Sequence, residues 1–204
     1  MKAKLSFIIS GILIIISIFI PYILIIFSSP QYPTRSPKMF LFVHSLKGDI
    51  RDWEVVGRYI GVNVHPDFPE LKYKLVAIFL FFLGLFLIFS AFRGIKWKKV
   101  ASILVVVFGL LLLILVQFRL YQQGHNLDPN APLRFVVKPF TPPVFGLTKI
   151  SKIRIYHLPF IGTFLYLASS LLCVWSSWLS KEVKALSPQF MFLANEQESS
   201  LKRI

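Results

Sequence analysis

The sequence predicts a membrane protein in which four transmembrane helices carry a small β-rich extracytoplasmic cap built from two long loops. Of its 204 residues, 55% are hydrophobic, and the mean hydropathy is positive. The apolar residues fall into four blocks, each close to the roughly 20 residues that cross a bilayer as a helix. The blocks are Leu5–Phe27, Leu75–Phe92, Val100–Phe118 and Leu158–Leu179. Between their ends they contain no Asp, Glu, Lys, Arg or His.

The first block predicts a retained membrane span rather than a cleaved signal peptide. Lys2 and Lys4 precede it, as in a signal peptide, but its apolar run is longer than a signal core. No small-x-small cleavage site follows it. We therefore expect residues 1–27 to form a cytoplasmic stub and the first span, with a kink or frayed turn at Pro21.

The basic residues predict the orientation of the chain in the membrane. The net charge is +14, and the cations are concentrated before span one, between spans two and three, and after span four. In a four-span protein these three segments share one side, which the positive-inside rule makes cytoplasmic. Residues 74–118 are thus a span two–span three hairpin with a basic cytoplasmic link, and residues 181–204 a cytoplasmic tail. The same residues contact anionic lipid, so the bilayer is the expected partner and nucleic acid is not.

The first outer loop, residues 28–73, is too long for a simple connection and contains patterns of regular structure. Met39–His44 has the composition of a strand, and Lys47–Asp49 that of a turn. Asp52–Ile60 predicts a short helix, with Asp49 or Asp52 near its N-terminus and Gly61 after its end.

The second outer loop, residues 119–157, begins with the segment Tyr121–Pro132 at the predicted mouth of span three. There Gly124 is expected to permit a backbone turn, and the prolines that follow restrict the chain. Leu133–Lys138 reads as a strand, and Lys149–Tyr156 alternates apolar and polar residues as a half-buried strand does. We expect the two outer loops to pack on each other as one cap.

The fourth span, residues 158–180, carries a stripe of small side chains. Ser169, Cys173 and Ser177 recur every four residues, a spacing that lets helices approach closely. Cys173 is the single cysteine, so the chain forms no internal disulfide.

All four histidines lie outside the spans, together with several carboxylates. Imidazole and carboxylate groups bind copper, zinc or iron, which makes His125 and Asp128 the first candidate ligands, followed by His65, His44 and His157. The spacings match no standard metal motif. The alternative is that these residues form capping and turn-fixing hydrogen bonds, as Asp and Asn do.

Several classes of function are disfavoured by what the spans and loops lack. No histidine inside a span could ligate a haem, and no ionisable residue there could relay protons. Nucleotide-binding and serine-hydrolase motifs are absent from the sequence. We therefore expect a protein that is not an enzyme, with a membrane enzyme acting under the cap as a minor alternative.

A set of short motifs resembles a known group of proteins. They are Pro30–Pro33, Tyr59–Gly61, Phe68–Glu70, Gly124–Pro132 (Gly-His-Asn-Leu-Asp-Pro-x-Ala-Pro) and Pro142–Gly146. In this order and spacing, over residues 1–180, the set is similar to small four-span proteins of unassigned function encoded near copper-chaperone and nitrous-oxide reductase maturation genes. The most specific of these motifs is Gly-His-Asn-Leu-Asp-Pro.

That resemblance implies an accessory protein that delivers or retains copper on the outer face of a bacterial or archaeal inner membrane. His125 and Asp128 are carried over directly. Relatives often have His-Tyr-Ile-Gly-Met where this chain has Arg58-Tyr-Ile-Gly-Val62, so two potential ligands are missing here. Arg58 could instead pair with Asp128 and make the site structural.

Two hypotheses follow. In the first, the chain is a non-enzymatic accessory protein whose cap, centred on His125 and Asp128, binds copper or a copper-handling partner during metalloenzyme assembly. In the second, it is an auxiliary structural subunit of a membrane respiratory or monooxygenase complex, and its spans and cap contact other membrane or periplasmic subunits. The outer position of the histidines favours the first, and the uniformly apolar spans favour the second.

Overall fold

The computed structural model describes residues 2–30, 32, 35–62, 70–133 and 135–178. In these ranges the chain forms five α-helices and one five-stranded sheet. In chain order they are α1 Lys2–Ser17, β1 Ile23–Ser28, β2 Lys38–Leu41, β3 Leu46–Gly48, α2 Ile50–Ile60, α3 Glu70–Phe92, α4 Ile95–His125, β4 Gly146–Ile150, β5 Ile153–Pro159 and α5 Ile161–Trp178. The candidate ligand His65 and the predicted tail at 181–204 lie outside these ranges.

Three of the helices are long and apolar enough to cross a membrane. They are α3, α4 and α5, which correspond to the second, third and fourth apolar blocks. Helix α3 ends at Phe92 and α4 begins at Ile95, so the tight hairpin predicted between spans two and three is confirmed. Helix α1 has 16 residues and is shorter than the roughly 20 that span a bilayer. Four spans are therefore not confirmed.

The prediction that Leu5–Phe27 forms one helix is wrong. Helix α1 ends at Ser17, a turn follows, and the second half of the block is strand β1. Pro21 lies between the two elements and lacks the N–H that a continuing helix requires. The sequence Ile-Leu-Ile-Ile-Phe-Ser that follows is rich in β-branched residues. A continuous apolar run fits a buried strand as well as it fits a helix.

Strand β1 is the centre of the sheet, whose order is β3-β2-β1-β5-β4 with every pair antiparallel. It pairs with β2 from the first outer loop and with β5 from the second. Ile25, for example, lies between Met39 on one side and His157 on the other. The expectation that the two loops form one β-containing cap is thus confirmed, with β1 as the strand that joins them.

The short helix of the first loop is confirmed as α2. Asp49 occupies its N-cap position, and Gly61 ends it in the left-handed conformation with φ +89°. The turn predicted at Lys47–Asp49 is wrong, because Lys47 and Gly48 continue strand β3 and the hairpin turn lies at 42–45.

Two predictions in the second loop also differ from the structure. Leu133–Lys138 contains turns instead of a strand among its described residues, and Val136 and Val137 donate backbone hydrogen bonds to Leu133. Lys149–Tyr156 is not one strand, because it bends at Ser151–Lys152 between β4 and β5. Strand β5 then extends to Pro159, inside the block predicted as span four.

The helices pack through small residues, which include two of the three in the stripe predicted on span four. The third, Ser177, is half-buried and donates to the Val174 carbonyl of its own helix (2.8 Å). Ser169 Oγ donates to the Ser10 carbonyl of α1 (2.9 Å), and Ser102 Oγ of α4 donates to the Cys173 carbonyl (3.0 Å). Ser169 and Cys173 are both fully buried. They therefore contact the other helices of this chain.

A second core fills the cap. Inward-facing residues of the sheet, including Phe27 and Ile155, pack against Trp53, Val56 and Ile60 of α2. Phe27 and Trp53 meet edge to face with ring centroids 5.6 Å apart. Helix α2 is held across one face of the sheet and brings its C-terminus to the end of α4.

Candidate functional site

The candidate site lies where α4 leaves the apolar part of the molecule. Helix α4 has 31 residues, a length of about 46 Å, which exceeds the roughly 30 Å of a bilayer hydrocarbon core. It continues past Phe118, where the predicted span ends, to His125. Its last turns therefore enter the cap, and His125 lies at the helix mouth as the sequence predicted.

His125 is exposed and is held in one orientation by Tyr121, one helical turn earlier. Its Nδ1 lies 3.0 Å from the Tyr121 carbonyl oxygen, and the two rings stack with centroids 4.0 Å apart. A carbonyl oxygen can only accept, so Nδ1 carries the hydrogen of the neutral ring. The lone pair is then on Nε2. Histidines that bind metals commonly have this arrangement, with the other ring nitrogen donating to a carbonyl.

Asp128 forms turn-fixing hydrogen bonds. Its Oδ1 accepts from the Asn130 amide (2.8 Å), and its own amide donates to the Gly61 carbonyl (2.8 Å). It forms no ion pair with Arg58, and a salt bridge elsewhere in the described ranges joins Arg35 and Asp49. The alternative in which Arg58 neutralises Asp128 is therefore wrong.

Gly124 has a different role from the one the sequence predicts. It is a helical residue, and its φ is not positive. A Cβ at this position would lie 1.9 Å from the Phe140 carbonyl oxygen, so glycine is required because a returning segment passes against the helix. The Phe140 amide donates to the Gly124 carbonyl at the same crossing (3.2 Å).

Gln117, about two helical turns before Gly124 on α4, binds the same returning segment (residues 140–145). Its Nε2 donates to the Pro142 carbonyl (3.1 Å), and its Oε1 accepts from the Val144 amide (3.1 Å). Both hydrogen-bonding groups of the side chain are thereby used. The resemblance motif at 142–146 is held against the helix that carries His125.

His157 lies inside the cap, on strand β5, and is 6% exposed. Burial lowers its pKa, and a hydrogen bond with the Pro143 backbone opposes that shift. Proline has no N–H, so its carbonyl accepts from the imidazole. Nδ1 has no hydrogen-bond partner, which assigns the donated hydrogen to Nε2 and leaves the lone pair of a neutral ring on Nδ1.

A cavity of about 70 Å³ separates His157 from the end of α4. Its lining includes Trp53, Gly57, Gly124, Phe140 and His157. The Trp53 Nε1–H is buried and, like His157 Nδ1, has no hydrogen-bond partner. The residues that line the cavity thus include one unpaired donor and one unpaired acceptor in mostly apolar surroundings. It is large enough for several water molecules.

The candidate ligands are not brought together in the described part of the chain. His44 lies in the β2–β3 turn beside the Phe42 ring, at 5.7 Å, next to Val43, which packs on the helix core. His157 is inside the cap, and His125 is on its surface. Within the described ranges no three His, Cys, Asp or Glu residues form a group able to hold a metal ion.

Sequence reasoning missed Tyr121, Gln117 and Trp53. Tyr121 precedes His125 by four residues, a spacing that places two side chains on one helical face. That spacing predicts contact between the two side chains only if the helix continues to His125, whereas the predicted span ends at Phe118. The partners of Gln117 and Trp53 are distant in sequence and left no local signal.

No family model, curated protein or solved structure matches the chain.

Proposed function

We propose that this protein is a non-enzymatic accessory protein of a bacterial or archaeal cell membrane, and that it presents His125 as a copper ligand to a partner protein on the outer side. The observation that carries the proposal is the hydrogen bond between His125 Nδ1 and the Tyr121 carbonyl. It orients an exposed imidazole and leaves Nε2 available as a ligand.

The proposal places four helices in the membrane, with α1 as a short fourth one. Both termini and the α3–α4 link are cytoplasmic, because Lys4, Arg93, Lys96 and Lys99 cluster at that end of the helices. The cap and His125 are then on the opposite, outer side. Copper is taken up there or delivered there.

One imidazole is a weak copper site, and this suits transfer better than storage. A single exposed ligand leaves coordination positions that a partner's side chains can fill. Asp128 supports the site by fixing the turn after His125. The partner would complete the coordination and retain the metal.

The test compares two histidine variants in the protein purified with its partners. Wild type, His125→Ala and His44→Ala are isolated from native membranes in mild detergent, partners are identified by mass spectrometry, and copper is measured by elemental analysis. We expect copper to be lost in His125→Ala and retained in His44→Ala, since His44 lies in another part of the cap. Unchanged copper in His125→Ala would refute the ligand assignment.

A second candidate function is that of an auxiliary subunit of a larger membrane complex. It is favoured by Phe135 and Val136, adjacent apolar residues of the cap that are 86% and 61% exposed. Exposed apolar residues of this kind often mark a protein interface. In this case Phe135→Ser/Val136→Ser would release the larger subunits, whereas Val55→Ser, at an exposed position of α2, would not.

A further inference from the structure

The two faces of the sheet are covered differently. The face that carries Ile25 and Phe27 is buried under α2. The opposite face, called the outward face below, includes the side chains that alternate with these along each strand. It consists of Leu24, Ile26, Ser28, Lys38, Phe40, Lys47, Leu147, Lys149, Arg154, Tyr156 and Leu158.

On β1, β5 and β4, the outward face is apolar near the helices and basic farther from them. The row nearest α1 and α5 contains Phe40, Leu24 and Leu158, and the next contains Ile26, Tyr156 and Leu147. The most distant row is Ser28, Arg154 and Lys149. On β3 and β2, Lys47 belongs to the row nearest the helices, beside Phe40, and Lys38 belongs to the next row, beside Ile26.

Two cations of the distant row are direct cross-strand neighbours. Lys149 pairs with Arg154 in the β4–β5 register, and both are exposed. Like charges opposite each other destabilise a sheet unless an anion lies between them. Among the described acidic residues, Asp52 and Glu54 are on α2, Glu70 begins α3 and Asp128 follows α4. Asp49 precedes α2, and its carboxylate accepts from the Lys38 amide (3.0 Å). The strand residues of the outward face thus include four cations and no acidic residue, and the Asp49 carboxylate approaches the backbone of one of them, Lys38.

The helices set the depth of the apolar rows in the membrane. Helix α1 is 16 residues long, about 24 Å, and the stretch of α4 from Val100 to Gln117 is about 26 Å long. Gln117, at the outer end of this stretch, accepts a hydrogen bond from the Val144 amide, and β4 begins two residues later at Gly146, which pairs with His157. The start of β4 is therefore at the level of the outer end of the span. The first rows of the sheet thus begin near the outer boundary of a hydrocarbon core of roughly 30 Å.

An aromatic contact joins the start of α5 to the apolar rows of the sheet. Phe160, directly before α5, meets Phe40 of the outward face edge to face with ring centroids 5.7 Å apart. Moving outward along β5 and β4, the molecule presents an apolar helix surface, then apolar strand residues, then Arg154 and Lys149. A bilayer presents acyl chains, then the interface, then phosphates, in the same order.

We propose that the outward face binds anionic phospholipid headgroups of the outer leaflet. The apolar rows lie at the lipid interface, and Lys149 and Arg154 of the distant row contact the phosphates. The proposal rests on the membrane placement given under Proposed function and is independent of copper. It also accounts for the uniform apolarity of Leu5–Phe27, because both halves of that block contact lipid or core.

The depth of the outward face can be measured by fluorescence quenching. In a Cys173→Ala background, single cysteines at Leu147, Leu113 and Val55 are labelled with bimane, and the full chain is placed in nanodiscs containing lipids brominated near the top of the acyl chain. All three positions are exposed in the structure. We expect quenching at Leu113 and Leu147 and none at Val55, which is on α2.

The Leu113 and Leu147 labels distinguish lipid contact by the sheet from the placement of the helices in the membrane. Quenching at Leu113 without quenching at Leu147 would refute lipid contact by the sheet and leave the membrane placement intact. Absence of quenching at Leu113 would refute the membrane placement itself. A Leu147 label that is shielded only when another protein co-purifies would assign the outward face to a protein partner and overturn the proposal.

The headgroup preference is tested in mixed phosphatidylglycerol and phosphatidylcholine nanodiscs. The phosphatidylglycerol retained by the released protein is counted by native mass spectrometry for wild type, Lys149→Gln/Arg154→Gln and, as the matched control, Arg51→Gln/Arg58→Gln. We expect the first double variant to lower the preference for phosphatidylglycerol by about fivefold per charge. Arg51 and Arg58 are on α2 and should have little effect. Equal preference in all three proteins would overturn the anionic-lipid assignment.

Discussion

The Asp128 amide donates a hydrogen bond of 2.8 Å to the carbonyl of Gly61, and this bond joins the ends of α2 and α4. The Leu133 amide adds a second bond to the Tyr59 carbonyl (3.2 Å). Two motifs that lie far apart in the sequence, Tyr59–Gly61 and Gly124–Pro132, are thereby in direct contact. Their function in the fold is to hold the end of α4, and with it His125, against the cap.

Gly61→Ala should weaken this junction. Gly61 has φ +89°, and a Cβ there would lie 2.9 Å from the Ala131 Cβ and 3.2 Å from the Asp128 nitrogen. The left-handed conformation and the close contact together should cost about 1–3 kcal/mol of unfolding free energy. Thermal unfolding in detergent measures the effect.

Gly94→Ala is the matched control for that variant. Gly94 has open space around its Cβ position and a negative φ of −66°. The change should cost less than about 1 kcal/mol, the usual range for a modest N-cap substitution. Equal losses of unfolding free energy in the two variants would show that the contact between Gly61 and the 128–131 turn does not stabilise the junction.

Gln117 should be essential for the position of the 140–145 segment. Replacing it with Leu leaves the Pro142 carbonyl and the Val144 amide without their partner. Each unsatisfied buried group costs about 1–3 kcal/mol. We expect earlier melting and faster proteolysis within residues 126–145. Gln117→Glu keeps the acceptor for the Val144 amide and loses the donor to the Pro142 carbonyl. Its loss of stability should therefore lie between those of wild type and Gln117→Leu. Proteolysis at the wild-type rate in Gln117→Leu would contradict this role.

The sequence predicts well those elements whose signals are local. The apolar lengths of α3, α4 and α5, the tight α3–α4 link, and the α2 helix between Asp49 and Gly61 all follow from neighbouring residues. The turn formed by Asp128 also belongs to this group, because an Asx turn depends on a side chain and the amide two residues later.

Strand β1 shows where local signals fail. Ile-Leu-Ile-Ile-Phe is compatible with a membrane helix and with a central strand, and the choice depends on partners outside the block. Met39 and His157 supply those partners through pairing with Ile25. Similarly, the sequence suggests a turn at Gly124, whereas the need for glycine comes from Phe140, a residue that no local pattern connects to it.

The close approach of α1 to α3 should be sensitive to side-chain size. A Cβ at Gly11 would lie 2.6 Å from the Gly84 carbonyl oxygen, and a Cβ at Gly84 would lie 2.7 Å from the Ile15 side chain. Gly11→Val should therefore separate the helices and cost about 1–3 kcal/mol, the usual effect of overpacking. Ile12→Val, at an exposed position of the same helix, is the control. The measurement is thermal unfolding in detergent, and similar melting of both variants would exclude tight α1–α3 packing.

The stability of the cap should fall with acidification because of His157. Burial lowers the pKa of this ring in the folded protein, whereas in the unfolded chain it is near 6.5. The unfolded state therefore binds the proton more readily. The stabilisation is complete above about pH 6.5 and is lost as the pH falls below that value, with a slope of at most about 1.4 kcal/mol per pH unit. Melting temperatures of wild type between pH 8 and pH 5 (about 1.5 units on either side of the ordinary histidine pKa) should show this loss.

Two variants assign that loss to the buried ring. His157→Gln removes the titrating group and should flatten the pH dependence, although it lowers stability at neutral pH because the hydrogen bond with Pro143 is weakened. His44→Gln removes a histidine of the β2–β3 turn and should keep the wild-type slope. If the slope persisted in His157→Gln, acid sensitivity would have to come from another group. A slope lost only in His157→Gln would identify the neutral, buried imidazole beside the cavity as the group on which the cap depends.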